Sequence, residues 1–342
     1  MPRLALKPRT LKTMKGLPRK PPLLGRDASL LLLTLLLTGA VGTRFPQFVT
    51  PTNLKSVLDD TSILILLALA QMPVLLTRSI DLSVAANLAL TGMCTALFNH
   101  AFPDVGMPTV IILAIAIGAA LGAVNGLLVW LLEVPPIVAT LGTLAVYRGL
   151  VFVVSGGAWI TNNKMSDAFL NFVRFDILGF RVLSWVAAGF SILAYLGLRY
   201  TAIGRNFFIA GSNPEAAVYV GIDVGRLRFV AFTLSGAVAG LCGYFWVSRF
   251  AIAYTDVAQG FELQVIAACV IGGVSIAGGY GTVLGVITGC LFLGTIKNEL
   301  PLVGISPFWQ MAISGLIIIS AVILNARRAQ GVPRRILENS ST

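Results

Sequence analysis

Long apolar runs recur along the chain from Leu30 to Leu324, and short polar stretches separate them. The runs show neither the alternation of a half-buried strand nor the single apolar stripe of a soluble helix; they are apolar all round. A helix of about 20 such residues crosses a hydrocarbon core of roughly 30 Å. The pattern predicts ten spanning helices, at about 29–45, 61–77, 82–98, 108–131, 136–154, 183–199, 227–248, 263–278, 282–296 and 308–325. The shortest of these need tilt or local thinning of the bilayer. The expected fold class is an all-α polytopic membrane protein. Residues 1–28 form a basic tail, 29–325 a transmembrane domain with an inner loop at 200–226, and 326–342 a second tail.

The polar punctuation carries a sign. Lys and Arg gather in residues 1–27, between Arg199 and Arg228, and after the last apolar run at Arg327, Arg328, Arg334 and Arg335; these clusters hold sixteen of the chain's 25 basic residues. Basic clusters beside spans mark the cytoplasmic side. Ten spans place all three clusters, and both termini, on that side, whereas an odd number would separate them. The net charge of +11 therefore reads as membrane topology. It does not read as a nucleic-acid surface, which would gather the charge on one soluble face. The basic stretch before Leu30 is long and no small-x-small cleavage site follows, so the first run is expected to remain as a span. The longest outer loop, about 155–182, is expected to hold a small helix or to dip back toward the membrane.

Composition removes the soluble alternatives. The chain is 56% hydrophobic and 11% charged, against about a quarter charged in soluble domains. Its 35 glycines fall partly at four-residue spacing, as Gly118, Gly122 and Gly126, as Gly236 and Gly240, and as Gly281, Gly285 and Gly289. Such faces let backbones approach closely in lipid, either within one chain or between subunits. The four cysteines (Cys94, Cys242, Cys269, Cys290) have no metal-ligand spacing, and one His is present. No metal or cofactor is expected.

Among the loops, 199–228 is the most informative. Ser212 and Glu215 stand at capping-box spacing, Pro214 suits a first turn, Ala216 and Ala217 favour helix, and Gly221 is placed to stop it. A helix of about two turns is expected there, as a plain connector or as a lever that docks into a cytoplasmic partner. Polar residues inside apolar runs are the other candidates. Asn125, Thr140 and Thr143 either line a pathway or satisfy one another and the backbone. Glu262 is either a helix-start charge or part of a solute site. Arg78 and Asp81 either pair at the break between two spans or act apart, Arg78 snorkelling to the interface and Asp81 capping.

No G-x-x-x-x-G-K-[ST] loop occurs, so energy for uphill transport comes from another protein or from an ion gradient. Ion-coupled carriers keep ionisable groups near the membrane centre. Here Asp81, Glu133 and Glu262 lie near span ends and His100 at an outer turn. An ion-coupled small-solute transporter is the alternative reading. A membrane enzyme lacks its clustered nucleophile, acid–base pair or ligand set.

Four stretches resemble a known family: LLTRSIDLSVAANLALTG (75–92), GAVNGLLVWLLEVPPIVATLGTLAVYRGL (122–150), TAIGRNFFIAGSNPEAAVYVGIDVGRLRFVAFTLSGAVAGLCG (201–243) and GFELQVIAACVIGGVSIAGGYGTVLGVITG (260–289). Together they are similar to the ribose-type monosaccharide permeases of bacterial ABC importers, which include autoinducer-2 and rhamnose-type permeases. The resemblance implies a non-catalytic permease subunit of the bacterial inner membrane, built from two inverted repeats. It implies partners: cytoplasmic ABC ATPase subunits, a periplasmic solute-binding protein and a second permease subunit, alike or related. It makes 213–220, with Asn213, Pro214, Glu215, Ala216, Ala217 and the following Gly221, the coupling helix against the ATPase. It points to a neutral, sugar-like cargo. The chain departs from the family at Arg78 and Ser79, where two glycines usually stand, and at Ala85, often glycine.

Overall fold

A computed structural model describes residues 25–299, together with isolated positions between 304 and 319. The described chain is helical: α1 (Arg26–Arg44), α2 (Pro51–Leu76), α3 (Val84–Ala101), α4 (Met107–Trp130), α5 (Pro136–Ser155), α6 (Asp167–Arg174), α7 (Val182–Tyr200), α8 (Ala202–Ser212), α9 (Pro214–Tyr219), α10 (Val224–Phe250), α11 (Phe261–Ile271) and α12 (Val283–Glu299). Two pairs of two-residue strands tie down the loops. β1 (Ile160–Thr161) pairs with β4 (Ile252–Ala253), and β2 (Asp176–Ile177) with β3 (Phe180–Arg181). Six of the described helices, α1, α2, α4, α5, α7 and α10, are long and apolar enough to cross a membrane.

Nine of the ten expected spans overlap described helices, and two of these nine differ in extent. α2 starts ten residues before the expected span, at Pro51. Thr50 caps it by accepting from Asn53 N at 3.4 Å, and Pro51 occupies the first turn. The 263–278 run does not form one span. α11 ends at Ile271, and Gly273, Gly278 and Gly279 then take positive φ. Eleven residues of helix reach about 17 Å, roughly half a bilayer. The glycines that permit left-handed backbone end the helix although the run remains apolar. The tails and the expected 308–325 span lie almost entirely outside the described residues.

α2 and α10 form the interior. In α2, 89% of the most apolar 18-residue stretch is buried, against 22% in α7 and 6% in α1. α10 packs along α4 and also touches α3 and α2. Its contact with α4 depends on the four-residue glycine spacing. A Cβ on Gly118 would stand 2.6 Å from Gly240 Cα, and one on Gly236 2.6 Å from Gly122 Cα. Gly285 and Gly289 meet Gly272 at the end of α11 in the same way. All three glycine faces are therefore used for packing within this chain.

The 155–182 loop contains α6. Ser166 caps it, and Asn99 of α3 holds the cap by accepting from Ser166 N at 2.8 Å and donating to Ser166 Oγ at 2.9 Å. From α10, Ser248 donates to Phe169 O at 2.7 Å and Tyr244 at 3.2 Å. This small helix is fastened to the spans at one end of the bundle.

Candidate functional site

At the opposite end, the 201–223 segment folds as two helices where one was expected. Thr201 caps α8 by accepting from Gly204 N at 3.0 Å. Ser212 ends α8, its hydroxyl turned back to Phe208 O. The cap of α9 is therefore Asn213 and not Ser212: Asn213 Oδ1 accepts from Ala216 N at 3.1 Å. An Asx side chain one residue before Pro214 fits the cap position, and the serine is already committed to the helix behind it. Glu215 sits in the first turn, where a carboxylate favours the positive end of the helix. Gly221, at φ +81°, closes α9, and Asp223 then caps α10 by accepting from Arg226 N at 2.8 Å.

α9 has two faces. Ala217 is fully buried against the bundle. Val218, Tyr219 and Val220 are 63%, 91% and 70% exposed. Three exposed apolar side chains in a row on a capped, glycine-terminated turn form a protruding knob. Arg226 stacks on Trp130 at 5.7 Å beside it.

The intramembrane candidates form a second group. Asn125 of α4 donates to Ser83 Oγ at 2.7 Å and accepts from Thr143 Oγ1 of α5 at 2.6 Å. Ser83 donates through its hydroxyl and its amide to Asp81 Oδ1, at 2.7 and 2.9 Å. Thr140, also on α5, bonds to Pro136 O at 2.9 Å and to Ile80 O at 3.1 Å. Asn125, Thr143 and Thr140 thus meet at the α2–α3 break, buried and mutually satisfied. Sequence reading missed Gln71, Ser83 and Asn87, which extend the seam. Gln71 reaches Asp81 O at 3.3 Å, and Asn87 donates to Gly118 O at 3.0 Å. Their signal was present, as amides and a hydroxyl inside or beside apolar runs.

Glu262 stands apart from this group. It lies in the first turn of α11, and one of its carboxylate oxygens is buried without a hydrogen-bond partner among the described residues. Arg148 of α5 interacts with it electrostatically and donates to Val257 O at 2.7 Å. Arg78 and Asp81 do not pair. Asp81 accepts from the amide and hydroxyl of Ser83, and Ser83 rather than Asp81 stands at the start of α3, while Arg78 turns the other way, toward Gly211 O at 2.7 Å and Ser212 O at 3.0 Å. Among the described residues, no three His, Cys, Asp or Glu side chains cluster for a metal.

A helical bundle with six long apolar helices, buried polar seams and close glycine contacts is that of a multi-pass membrane protein. The chain belongs to the family described as branched-chain amino acid transport system / permease component, whose model matches residues 53–322. It is a permease of the ABC-importer kind, seated in the inner membrane. It is similar to the autoinducer 2 import system permease protein LsrC of Salmonella typhi, 35% identical over 88% of this chain and 86% of that one. The protein of that name from Enterobacter sp. (strain 638) is 35% identical over 90% and 89% of the two chains, and that from Escherichia coli O157:H7 is 34% identical over 88% and 87%. No solved structure matches the chain.

Proposed function

We propose that this chain carries autoinducer 2, or a closely similar neutral polyhydroxylated solute, inward across the membrane, driven by a separate ATPase. The observation that carries the coupling part is α9. Its termini are capped at both ends, Ala217 anchors it, and Val218, Tyr219 and Val220 face outward. A rigid apolar knob of this kind suits a cleft on a cytoplasmic partner. Asn213, Pro214, Glu215, Ala216, Ala217 and Gly221 build the coupling helix. The subunit itself performs no catalysis.

In this reading the chain forms ten spans between cytoplasmic tails at 1–28 and 326–342, as two inverted repeats. A second permease subunit completes the path, and a periplasmic solute-binding protein delivers the cargo. Asn125, Thr140, Thr143 and Glu262 are the candidates for lining this path, with Glu262 toward its outer end. The cargo class is supported by the similarity to autoinducer 2 permeases. Closure of the ATPase pair pushes α9, and the bundle switches the side on which the path opens.

The test is to tag the chain, extract it in mild detergent, and identify what copurifies. A P-loop ATPase is expected. Its absence after crosslinking, with uptake following an ion gradient, would overturn the reading. Uptake of labelled autoinducer 2 in cells carrying the assembled importer tests the cargo separately.

A further inference from the structure

The turn that joins α2 to the α2–α3 break is occupied by an arginine where a glycine is expected on backbone grounds. Arg78 takes φ +60°, the left-handed region that residues with a Cβ avoid. Such a conformation persists only where the surroundings over-determine it. Three contacts do so here. Arg78 Nε donates to Gly211 O at 2.7 Å, and Arg78 Nη2 to Ser212 O at 3.0 Å. These two carbonyls end α8 and directly precede Asn213, the cap of α9. Gly279 N donates to Leu76 O at 3.0 Å, packing the 275–280 loop on the same turn. Room for the arginine stem is left by Gly278, where a Cβ would stand 2.5 Å from Arg78 Cγ. From the other side, Arg228 Nε donates to Thr77 O at 3.3 Å.

We propose that Arg78 is a positioning residue that clamps the end of α8 and so fixes the coupling helix α9 to the α2–α3 break. This rests on the coupling role proposed for α9. The guanidinium presents Nε and Nη2 in a fixed fork to two successive carbonyls, a rigid geometry that a flexible ammonium lacks. It also sits at the negative end of α8, where a cation is favoured. Asp81 lies three residues further on and opens the seam to Ser83, Asn125 and Thr143. A displacement of α9 is thereby delivered to the break from which the α4 and α5 side chains hang.

The test compares the native full chain with R78G and R78K in lipid nanodiscs. Glycine adopts φ +60° freely, so R78G keeps the turn and removes only the fork. Amide exchange over 213–221 is expected to quicken at least about tenfold in R78G, since one charge-assisted hydrogen bond is worth that much and two are lost, with R78K between the two. Exchange within α10 should not move. Unchanged exchange over 213–221 in R78G would overturn the clamp. In the complex with its copurifying ATPase, a non-hydrolysable ATP analogue is expected to alter exchange at residues 77–83 in the native chain. The response should be absent in R78G and partly restored in R78K. An equal response in R78G would overturn the positioning role, because a merely structural residue leaves transmission intact. A native chain that recruits no ATPase counts against the importer reading alone; the exchange comparison still decides the clamp.

Discussion

Single atoms decide several contacts in this bundle. Gly118 and Gly142 are both helical glycines in apolar spans, but their surroundings differ. A Cβ on Gly118 meets the backbone of Gly236 and Gly240, whereas one on Gly142 meets nothing within 4 Å. Gly118→Ala should therefore force α4 and α10 apart and cost about 1–3 kcal/mol by overpacking. Gly142→Ala should be neutral or stabilising by up to about 1 kcal/mol through helix propensity. Thermal unfolding of the two purified variants checks the contrast, and equal midpoints would contradict the packing account. Asn125 offers a second test. Its amide bridges Ser83 and Thr143 in a site that is 1% exposed. Asn125→Leu should cost about 1–3 kcal/mol by leaving buried hydroxyls short of partners. Combined with Ser83→Ala, the loss should be less than additive, because the pair shares one network. Additive losses would mean that the two side chains act separately.

Among the elements, legibility follows how local the causes are. α4 and α5 were read within a residue at each end, since Pro108 and Pro136 mark their starts and apolar content carries them through. α9 was legible too, because Pro214, the alanines and Gly221 are local signals. Its cap was misplaced by one residue. Ser and Asn are both residue types that cap helices, and only the fold of α8 shows that the Ser212 hydroxyl is already used, donating to Phe208 O, while Asn213 accepts from Ala216 N. α8 itself was not foreseen. Its start depends on Gly204, which lies so close that a Cβ would stand 2.6 Å from Leu198 Cα. The early end of α11 was hidden because Val274 and Ile276 keep the run apolar while the glycines around them bend the backbone. The partners of Arg78 were out of reach for the same reason, since Gly211 lies 133 residues away. The coupling role is tested at this scale. Val218→Ser with Tyr219→Ser alters only exposed side chains, so folded yield should hold while ATPase retention falls at least about tenfold, the scale of losing an apolar anchor. Glu215→Ala and Gly221→Pro should lower uptake without removing the chain from the membrane; normal uptake in both would sink the lever.

At the level of the whole molecule, one end carries α8 and α9, and the other carries α6 with the strand pairs. The distribution of Lys and Arg predicts that the α8–α9 end faces the cytoplasm. The assignment follows from charge alone, so it is independent of the family likeness and can fail separately. Cysteine labelling tests it with little background, because Cys242, Cys269 and Cys290 are buried and Cys94 is half-buried. Tyr219 is 91% exposed, and Asn163 is exposed in the loop at the other end. With the chain expressed without its ATPase, Tyr219→Cys should resist a membrane-impermeant maleimide in osmotically shocked cells and react in inverted vesicles. Asn163→Cys should show the opposite pattern. If both sites reacted from the same side, an even number of spans would lie between them, and the reading of α7 as the single crossing between Asn163 and Tyr219 would fall. If the two patterns were exchanged, the crossing would stand but the basic loop would face outward. α9 would then have no ATPase to meet, and the importer mechanism would have to be rebuilt around a different surface.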